Sequence, residues 1–345
     1  MKTIFYLVFK RLVRTGFQCY YKEIRMSHME RVPLDRAVML LPNHQNALMD
    51  PLLYAAFAKG KPYFLTRSDV FENKILKWIF QGLRMMPIYR LRDGRETLSQ
   101  NQAVFERCAY LFSQGEQLLL FPEANHNLRR QVRPLSKGFT RIISQSYESS
   151  PNREITIVPV GMNYQNAAHF PDRVALCFGE PFPTRSYWSD DNRELDFSAL
   201  RDRTHQAITL LTTHIPVNVD YDLWEQRLEA NRTDFLDPVP VNASIAKGEL
   251  PEPKSFQARR RLGRIWDVFF RAVNAPVWLP WHFIVSKKVP EPEFASTFRF
   301  LYCLLAFPIF YLFLAGLLLF FLSPIAVLSI LGLIFLHNLA YVKFR

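Results

Sequence analysis

His44 and Asp50 are the residues whose types and spacing most directly suggest chemistry. They fall in the stretch VMLLPNHQNALMDPLL, residues 38–53, where four apolar residues run into Pro42-Asn43 and the histidine follows at once. An imidazole exchanges protons near neutral pH, and a carboxylate beside it fixes its tautomer and steadies the imidazolium. No serine or cysteine stands in this stretch, so the proton that His44 would take belongs to a hydroxyl on a substrate and not to one on the protein. The same residues also suit a plain Asn-His turn at a strand end with Asp50 as its cap.

Positioning such a pair is the work of the surrounding elements. Val38–Leu41 reads as a buried strand that Pro42-Asn43 ends. A short helix continues over 52–57. Lys61–Arg67 predicts a second strand, and the helical spacing of Ile75, Leu76, Ile79, Phe80 and Leu83 predicts a core-facing helix over 74–83. Met85–Arg90 predicts a third strand, with Arg90, Arg92 and Arg95 following around Asp93-Gly94; Thr97–Ser113 then predicts a helix closed by Gln114-Gly115. Further strands are expected at Gln117–Glu123, Ile155–Val160 and Val174–Phe178. Strands alternating with helices argue for an α/β domain with a mostly parallel sheet flanked by helices. Ligands in such sheets gather at the carboxyl ends of the strands, and His44, Arg67 and Glu123 all fall at predicted strand ends. Three chemically useful side chains placed alike favour the catalytic reading of His44.

The formal charge of +12 would serve nucleic acid, an anionic membrane surface or a phosphate-bearing substrate. A nucleic-acid binder would rest on that charge alone, since no recognised nucleic-acid motif is present. Cys19, Cys108, Cys177 and Cys303 are scattered, without the close pairs of a zinc or redox motif, and read as free thiols in a reducing compartment.

Four ordered blocks carry a resemblance: Asn43-His44 with Asp50; Tyr63-Phe64-Leu65-Thr66-Arg67; Phe121-Pro122-Glu123; and Ile157-Val158-Pro159-Val160-Gly161. Over about residues 35–185 the chain resembles the glycerolipid acyltransferases, the PlsC-like group that includes lysophosphatidate and glycerol-3-phosphate acyltransferases. The resemblance implies that His44 takes the proton from a glycerol hydroxyl, which attacks the thioester carbonyl of an acyl donor, while Asp50 orients His44. It implies that Arg67 holds the acceptor phosphate, since a guanidinium offers paired donors, and that Glu123 positions the acceptor or supports an arginine. Asn125, His126, Arg133 and Lys137 are further candidates for substrate contacts; Arg133 and Lys137 equally suit a solvated basic loop. Transfer needs no cofactor, only acyl-CoA or acyl carrier protein as co-substrate.

Two departures from the family pattern stand out. Five residues, Gln45–Met49, separate His44 from Asp50, where the commonest family spacing is four; some branches resembling fungal glycerol-3-phosphate acyltransferases carry the longer form. Position 124 is alanine where the third block commonly has glycine, and a positive φ there would strain it. Asn125-His126 replaces the commoner Thr-Arg. A metal site built from Glu123 and His126 with His44 and Asp50 is the competing reading.

Beyond Pro183 the character of the chain changes. Phe197, Leu200, Thr204, Ile208, Leu211 and Ile215 form one helical stripe, with His205 and His214 expected at the surface; 223–231 predicts a charged helix. Pro238, Pro240, Pro251 and Pro253 mark a linker. Arg259-Arg260-Arg261 and Arg264 beside Ile265–Phe270 suit a headgroup layer. From Phe300 to Phe335 runs a stretch of 36 residues without charge, interrupted at Ser323-Pro324. As one helix it would reach roughly 54 Å, beyond a ~30 Å hydrocarbon core, so two spans are expected near 300–322 and 325–340. Lys287, Lys288 and Arg299 on one side and Lys343 and Arg345 on the other fit a hairpin with both ends cytoplasmic. A buried soluble helical hairpin is the alternative.

The expected organisation is therefore an amphipathic membrane-associated segment (1–34), a catalytic domain (35–185), a helical extension and linker (186–264), an interfacial or re-entrant segment (265–298) and a transmembrane hairpin (299–345). The expected function is a membrane-bound O-acyltransferase of phospholipid biosynthesis acting on 1-acyl-sn-glycerol 3-phosphate, with membrane lipids as partners and no nucleic acid. Glycerol 3-phosphate, another lysolipid, or an inactive membrane scaffold are the alternatives.

Overall fold

The computed structural model of the chain describes residues 2–72, 74–89, 100–253 and 260–345. The arginines expected around Asp93-Gly94 (Arg90, Arg92, Arg95) and Arg259 lie outside the described residues.

Helix α1 (Lys2–Tyr20) leads into strand β1 (Glu23–Ser27), β2 (Ala37–Pro42), α2 (Met49–Phe57), β3 (Tyr63–Arg67), α3 (Lys74–Gly82), β4 (Met85–Ile88), α4 (Gln100–Ser113), β5 (Gln117–Leu119), α5 (Gly138–Ser149), β6 (Ile155–Tyr164), β7 (Arg173–Phe178) and β8 (Phe182–Pro183). The eight strands form one sheet in the order β1-β7-β6-β2-β5-β3-β4, with β8 on β6. Its pairs are parallel except where β6 meets β7 and β8. This is the mostly parallel sheet flanked by helices that the alternating pattern predicts.

Strand β2 shows why the sheet is buried on both faces. Val38 and Leu40 enter a core shared with α1 and α2, whereas Ala37, Met39 and Leu41 enter a second core under α4 and α5. Successive side chains of a strand point to opposite faces, so a continuous apolar run fits a strand covered on both sides. β2 pairs in parallel with β5 and β6, and β3 with β5 and β4. The carboxyl ends of β2, β3, β5 and β6 therefore share one edge of the sheet. With Pro42 opposite Val160, β6 runs on to Tyr164 beyond the end of β2.

Several expectations need correction. β1 fits the short strand expected within 22–37, and because it pairs with β7 the sheet begins at Glu23, inside the segment 1–34. α1 packs on the domain through one face: Tyr6, Val13, Phe17 and Tyr20 are buried, while Ile4, Val8 and Leu12 on the other face stay exposed. β5 stops at Leu119, short of the expected Glu123.

Beyond the sheet come α6 (Phe197–Leu211), α7 (Tyr221–Ala230) and α8 (Pro238–Ala246). The expected linker at Pro238 and Pro240 is instead α8: Pro238 opens the helix, where a missing N–H costs nothing. Gly161 lets α6 close on β6, since a Cβ there would lie 2.0 Å from the Leu211 carbonyl oxygen. His214 is not a free surface residue, because its Nδ1 accepts the Val132 N–H at 3.0 Å.

The last part is helical: α9 (Arg260–Val273), α10 (Ala275–Pro280), α11 (Ala295–Leu319) and α12 (Pro324–Phe344). At the turn, Ser323 caps α12 by accepting the Ala326 N–H, and Pro324 stands in its first turn. The second helix is longer than the expected 325–340. Among the described residues, two helices are long and apolar enough to cross a membrane, Pro292–Leu319 and Pro324–Phe344. Leu305, Ile309, Leu312 and Phe313 on the first, and Ile325 and Leu328 on the second, are exposed.

Candidate active site

Pro42 ends β2, and the chain turns through Asn43–Leu48 into α2, whose second residue is Asp50. Five intervening residues would carry the carboxylate past the imidazole on a regular helix. Here Ala47 takes a φ of 36°, folding the turn back. His44 Nδ1 lies 2.8 Å from Asp50 Oδ2. The same oxygen accepts the backbone N–H groups of Gln45 and Asn46, both at 2.8 Å, and Oδ1 accepts the Tyr164 hydroxyl at 2.5 Å. Asp50 is fully buried, and these donors hold its charge where water cannot. Burial beside that carboxylate pushes the Tyr164 phenol well above its ordinary value, so it stays a donor.

The turn is pinned from below. Asn43 exchanges two hydrogen bonds with the Met162 backbone, at 3.1 and 2.6 Å. The side chain of Gln45 donates to the Leu128 carbonyl and that of Asn46 to the Ala167 carbonyl, each at 2.9 Å. With Nδ1 facing Asp50, Nε2 is the nitrogen left to receive a proton. The ring stacks on Phe121, centroids 4.1 Å apart, and meets His126 edge-on at 5.5 Å.

Glu123 faces the same turn. One carboxylate oxygen accepts the His44 N–H at 3.0 Å and the other accepts Arg133 Nε at 2.9 Å. A further Arg133 nitrogen donates to the Asn125 carbonyl. Of the two roles weighed for Glu123, support of an arginine is the one this geometry favours, and it also braces His44 through the backbone. Ala124, between these groups, has a φ of 61°, the left-handed conformation in which alanine is strained.

His126 is half-buried, and burial pushes its pKa down to about 4, with the charges of His44 and Arg67 acting in the same direction and Glu293 and Asp50 opposing them. Its imidazole is neutral at physiological pH. Arg67, at the end of β3, forms a two-point ion pair with Asp69 and is partly exposed. Lys137 is exposed at the start of α5. The structure thus gathers His44, Asp50, Glu123, Asn125, His126 and Arg133 around one turn, with Arg67 further along the same sheet edge and Lys137 outside the cluster. Tyr164, Gln45 and Asn46 hold this site and were not singled out from the sequence. So does Arg130, whose buried guanidinium binds the Tyr164 and Gln165 carbonyls, each at 2.8 Å.

The donors of the metal reading are spent elsewhere: both Asp50 oxygens are occupied, and Glu123 is shared between Arg133 and the His44 N–H. Among the described residues, no group of three or more His, Cys, Asp and Glu side chains converges to hold a metal.

A buried acid fixing a histidine at the carboxyl edge of a parallel sheet is an arrangement suited to acid–base chemistry in an α/β domain. Over residues 23–163 the chain matches the family model described as Acyltransferase. The matched span contains all four of the sequence blocks that resemble the glycerolipid acyltransferases. Among solved structures the chain is similar to the 1-acyl-sn-glycerophosphate acyltransferase PlsC from Thermotoga maritima, at 18% identity and a TM-score of 0.38, over 53% of this chain and 71% of that one. Comparison with curated proteins gives no match.

Proposed function

We propose that this protein is a membrane-bound O-acyltransferase that moves a fatty acyl group from a thioester donor to 1-acyl-sn-glycerol 3-phosphate. The observation that carries the reading is the 2.8 Å contact between His44 Nδ1 and a fully buried Asp50. That contact commits one ring nitrogen and makes the other a base. His44 Nε2 takes the proton as the acceptor hydroxyl oxygen bonds to the thioester carbonyl carbon. The C–S bond then breaks, and the imidazolium returns the proton to the leaving thiolate. The transfer is direct, with no acyl group on the protein.

Arg67 would exchange its Asp69 partner for the acceptor phosphate, a trade of one oxyanion for another on the same two-point donor. Asn125, His126, Arg133 and Lys137 complete the proposed substrate-binding set. Arg133 acts there with one side already held by Glu123. The exposed apolar faces of α11 and α12 support two membrane spans. Their basic flanks support placing both ends, and the catalytic domain, on the cytoplasmic side. α9 adds exposed Ile265, Val268 and Phe269 beside Arg264 and Arg271, which suits the headgroup layer. In this placement a lipid acceptor enters from the bilayer, and the soluble donor, acyl-CoA or an acyl carrier protein, from the cytoplasm.

The test is a panel of acceptors offered to purified protein with labelled palmitoyl-CoA and EDTA: glycerol 3-phosphate, lysophosphatidate and a neutral lysolipid. The expected result is transfer to lysophosphatidate at a rate at least about ten-fold above the other two. Preference for glycerol 3-phosphate would move the assignment to a 1-O-acyltransferase. Failure with every acceptor, repeated with acyl carrier protein as donor, would leave the inactive scaffold.

A further inference from the structure

The first turn of α11 reaches the catalytic turn. Ser296 Oγ, almost fully buried, donates to the Ala167 carbonyl at 2.6 Å. That carbonyl also accepts Asn46 Nδ2 at 2.9 Å, and the Asn46 N–H donates to Asp50 Oδ2 at 2.8 Å. The line from the apolar hairpin to the His44–Asp50 pair is therefore three hydrogen bonds long and buried throughout. Arg299, one turn on, donates to the neighbouring Ala168 carbonyl at 3.1 and 3.2 Å. On the other side of the site Phe294 meets His126 edge-on at 4.7 Å, and His126 meets His44.

We propose that Ser296, on the first turn of the apolar hairpin, is a positioning residue for the His44–Asp50 pair and acts through the Ala167 carbonyl and Asn46. The inference rests on the acyl-transfer reading. Ser296 is placed on the second residue of α11, yet its hydroxyl serves a loop after β6 and not its own helix end. A carbonyl oxygen has two lone pairs, and here both find donors. Removing the serine hydroxyl leaves the carbonyl with Asn46 as partner, and leaves the Tyr20 hydroxyl, which Ser296 also meets, with Arg299. What is lost is the second donor that fixes the Ala167 carbonyl, the acceptor on which the Asn46 side-chain amide rests. The turn that carries Gln45, Asn46 and Asp50 would then be free to shift, and sub-ångström shifts in a base-orienting carboxylate are expensive in rate. The consequence is that the seating of the hairpin and the geometry of the base are one mechanical unit.

The experiment uses the full chain in phospholipid vesicles, with Ser296→Ala, Ser296→Thr, Asn46→Ala and the double variant Ser296→Ala/Asn46→Ala. Ser296→Ala should lower kcat about ten-fold while both KM values stay within about two-fold, and Ser296→Thr, which keeps the hydroxyl, should restore most of it. In the Asn46→Ala background the serine change should cost less than about two-fold, the signature of two residues acting in series. A second readout does not need activity. Amide exchange over 43–50 should quicken about ten-fold in Ser296→Ala, with 37–41 and 155–162 unchanged. If Ser296→Ala matches wild type in both kcat and exchange, the proposal is wrong. Faster exchange spread through β2 and β6 would also overturn it, since the serine would then support the fold at large. Wild-type protein inactive on every acceptor, yet with exchange at 43–50 loosened by Ser296→Ala, would remove the acyl-transfer reading and leave the mechanical link standing.

Discussion

At the scale of single residues the site depends on how a buried carboxylate is satisfied. Tyr164 is the donor to Asp50 Oδ1, and its phenol comes from the end of β6, 114 residues away in sequence. Tyr164→Phe should destabilise the protein by about 1–3 kcal/mol, because it leaves a buried charged oxygen without its donor. Transfer should slow with it; a denaturation midpoint and a kcat on the same preparation check both. His126 makes a pH-dependent contribution whose sign is fixed by its depressed pKa. Folded it titrates near 4, against an ordinary value of 6.5, so the unfolded chain binds more protons between these values. The stability it contributes is present above 6.5 and lost as pH falls toward 4. Asp172, raised to about 7 by burial, acts oppositely between 3.8 and 7. The diagnostic is thus the difference between wild type and His126→Gln: melting temperatures from pH 7 to 4 should fall less steeply in the variant. The His44–Asp50 pair was legible from sequence because both partners lie on one turn. Tyr164, Asn46 and Arg130 were not, since nothing local distinguishes a tyrosine, asparagine or arginine that will meet a buried oxygen from one that faces solvent.

At the scale of elements the alternation of apolar runs with helical stripes made the sheet legible, and with it the edge on which His44, Arg67 and Glu123 lie. What the pattern could not supply was direction at β7 and β8, where antiparallel pairing depends on a return that no periodicity encodes. α5 was missed, although Phe139, Ile142, Ile143 and Tyr147 follow helical spacing and all are buried. The prolines of α8 misled for an instructive reason: proline breaks a helix interior but suits its first turn. The turn at Ala124 was read correctly as a place where glycine is usual, and its φ of 61° gives the cause. Ala124→Gly should therefore raise stability by about 0.5–1 kcal/mol, the relief of left-handed strain outweighing the added chain entropy of glycine. A melting temperature that drops in this variant would mean that the alanine methyl makes a contact worth more than the strain.

At the scale of the whole molecule the hairpin is tied to the domain at several points. Lys343 Nζ donates to the Tyr21 carbonyl at 2.7 Å, Arg299 donates to the Ala168 carbonyl at 3.1 Å, and Phe300 stacks on Phe17 with centroids 4.3 Å apart. Helices of 25 and 21 residues reach about 37 and 31 Å, enough for a ~30 Å core. The protein should remain with the membrane pellet through alkaline carbonate washing, and its C-terminus should be reached by protease from the same side as the catalytic domain. The most direct measurement of the central claim is the rate of labelled acyl transfer by purified wild type and by His44→Ala, with EDTA present. The account predicts transfer by wild type that falls by at least about 10³-fold in the variant, with no acyl group recovered covalently on either protein. A His44→Ala variant that transfers at the wild-type rate would contradict it.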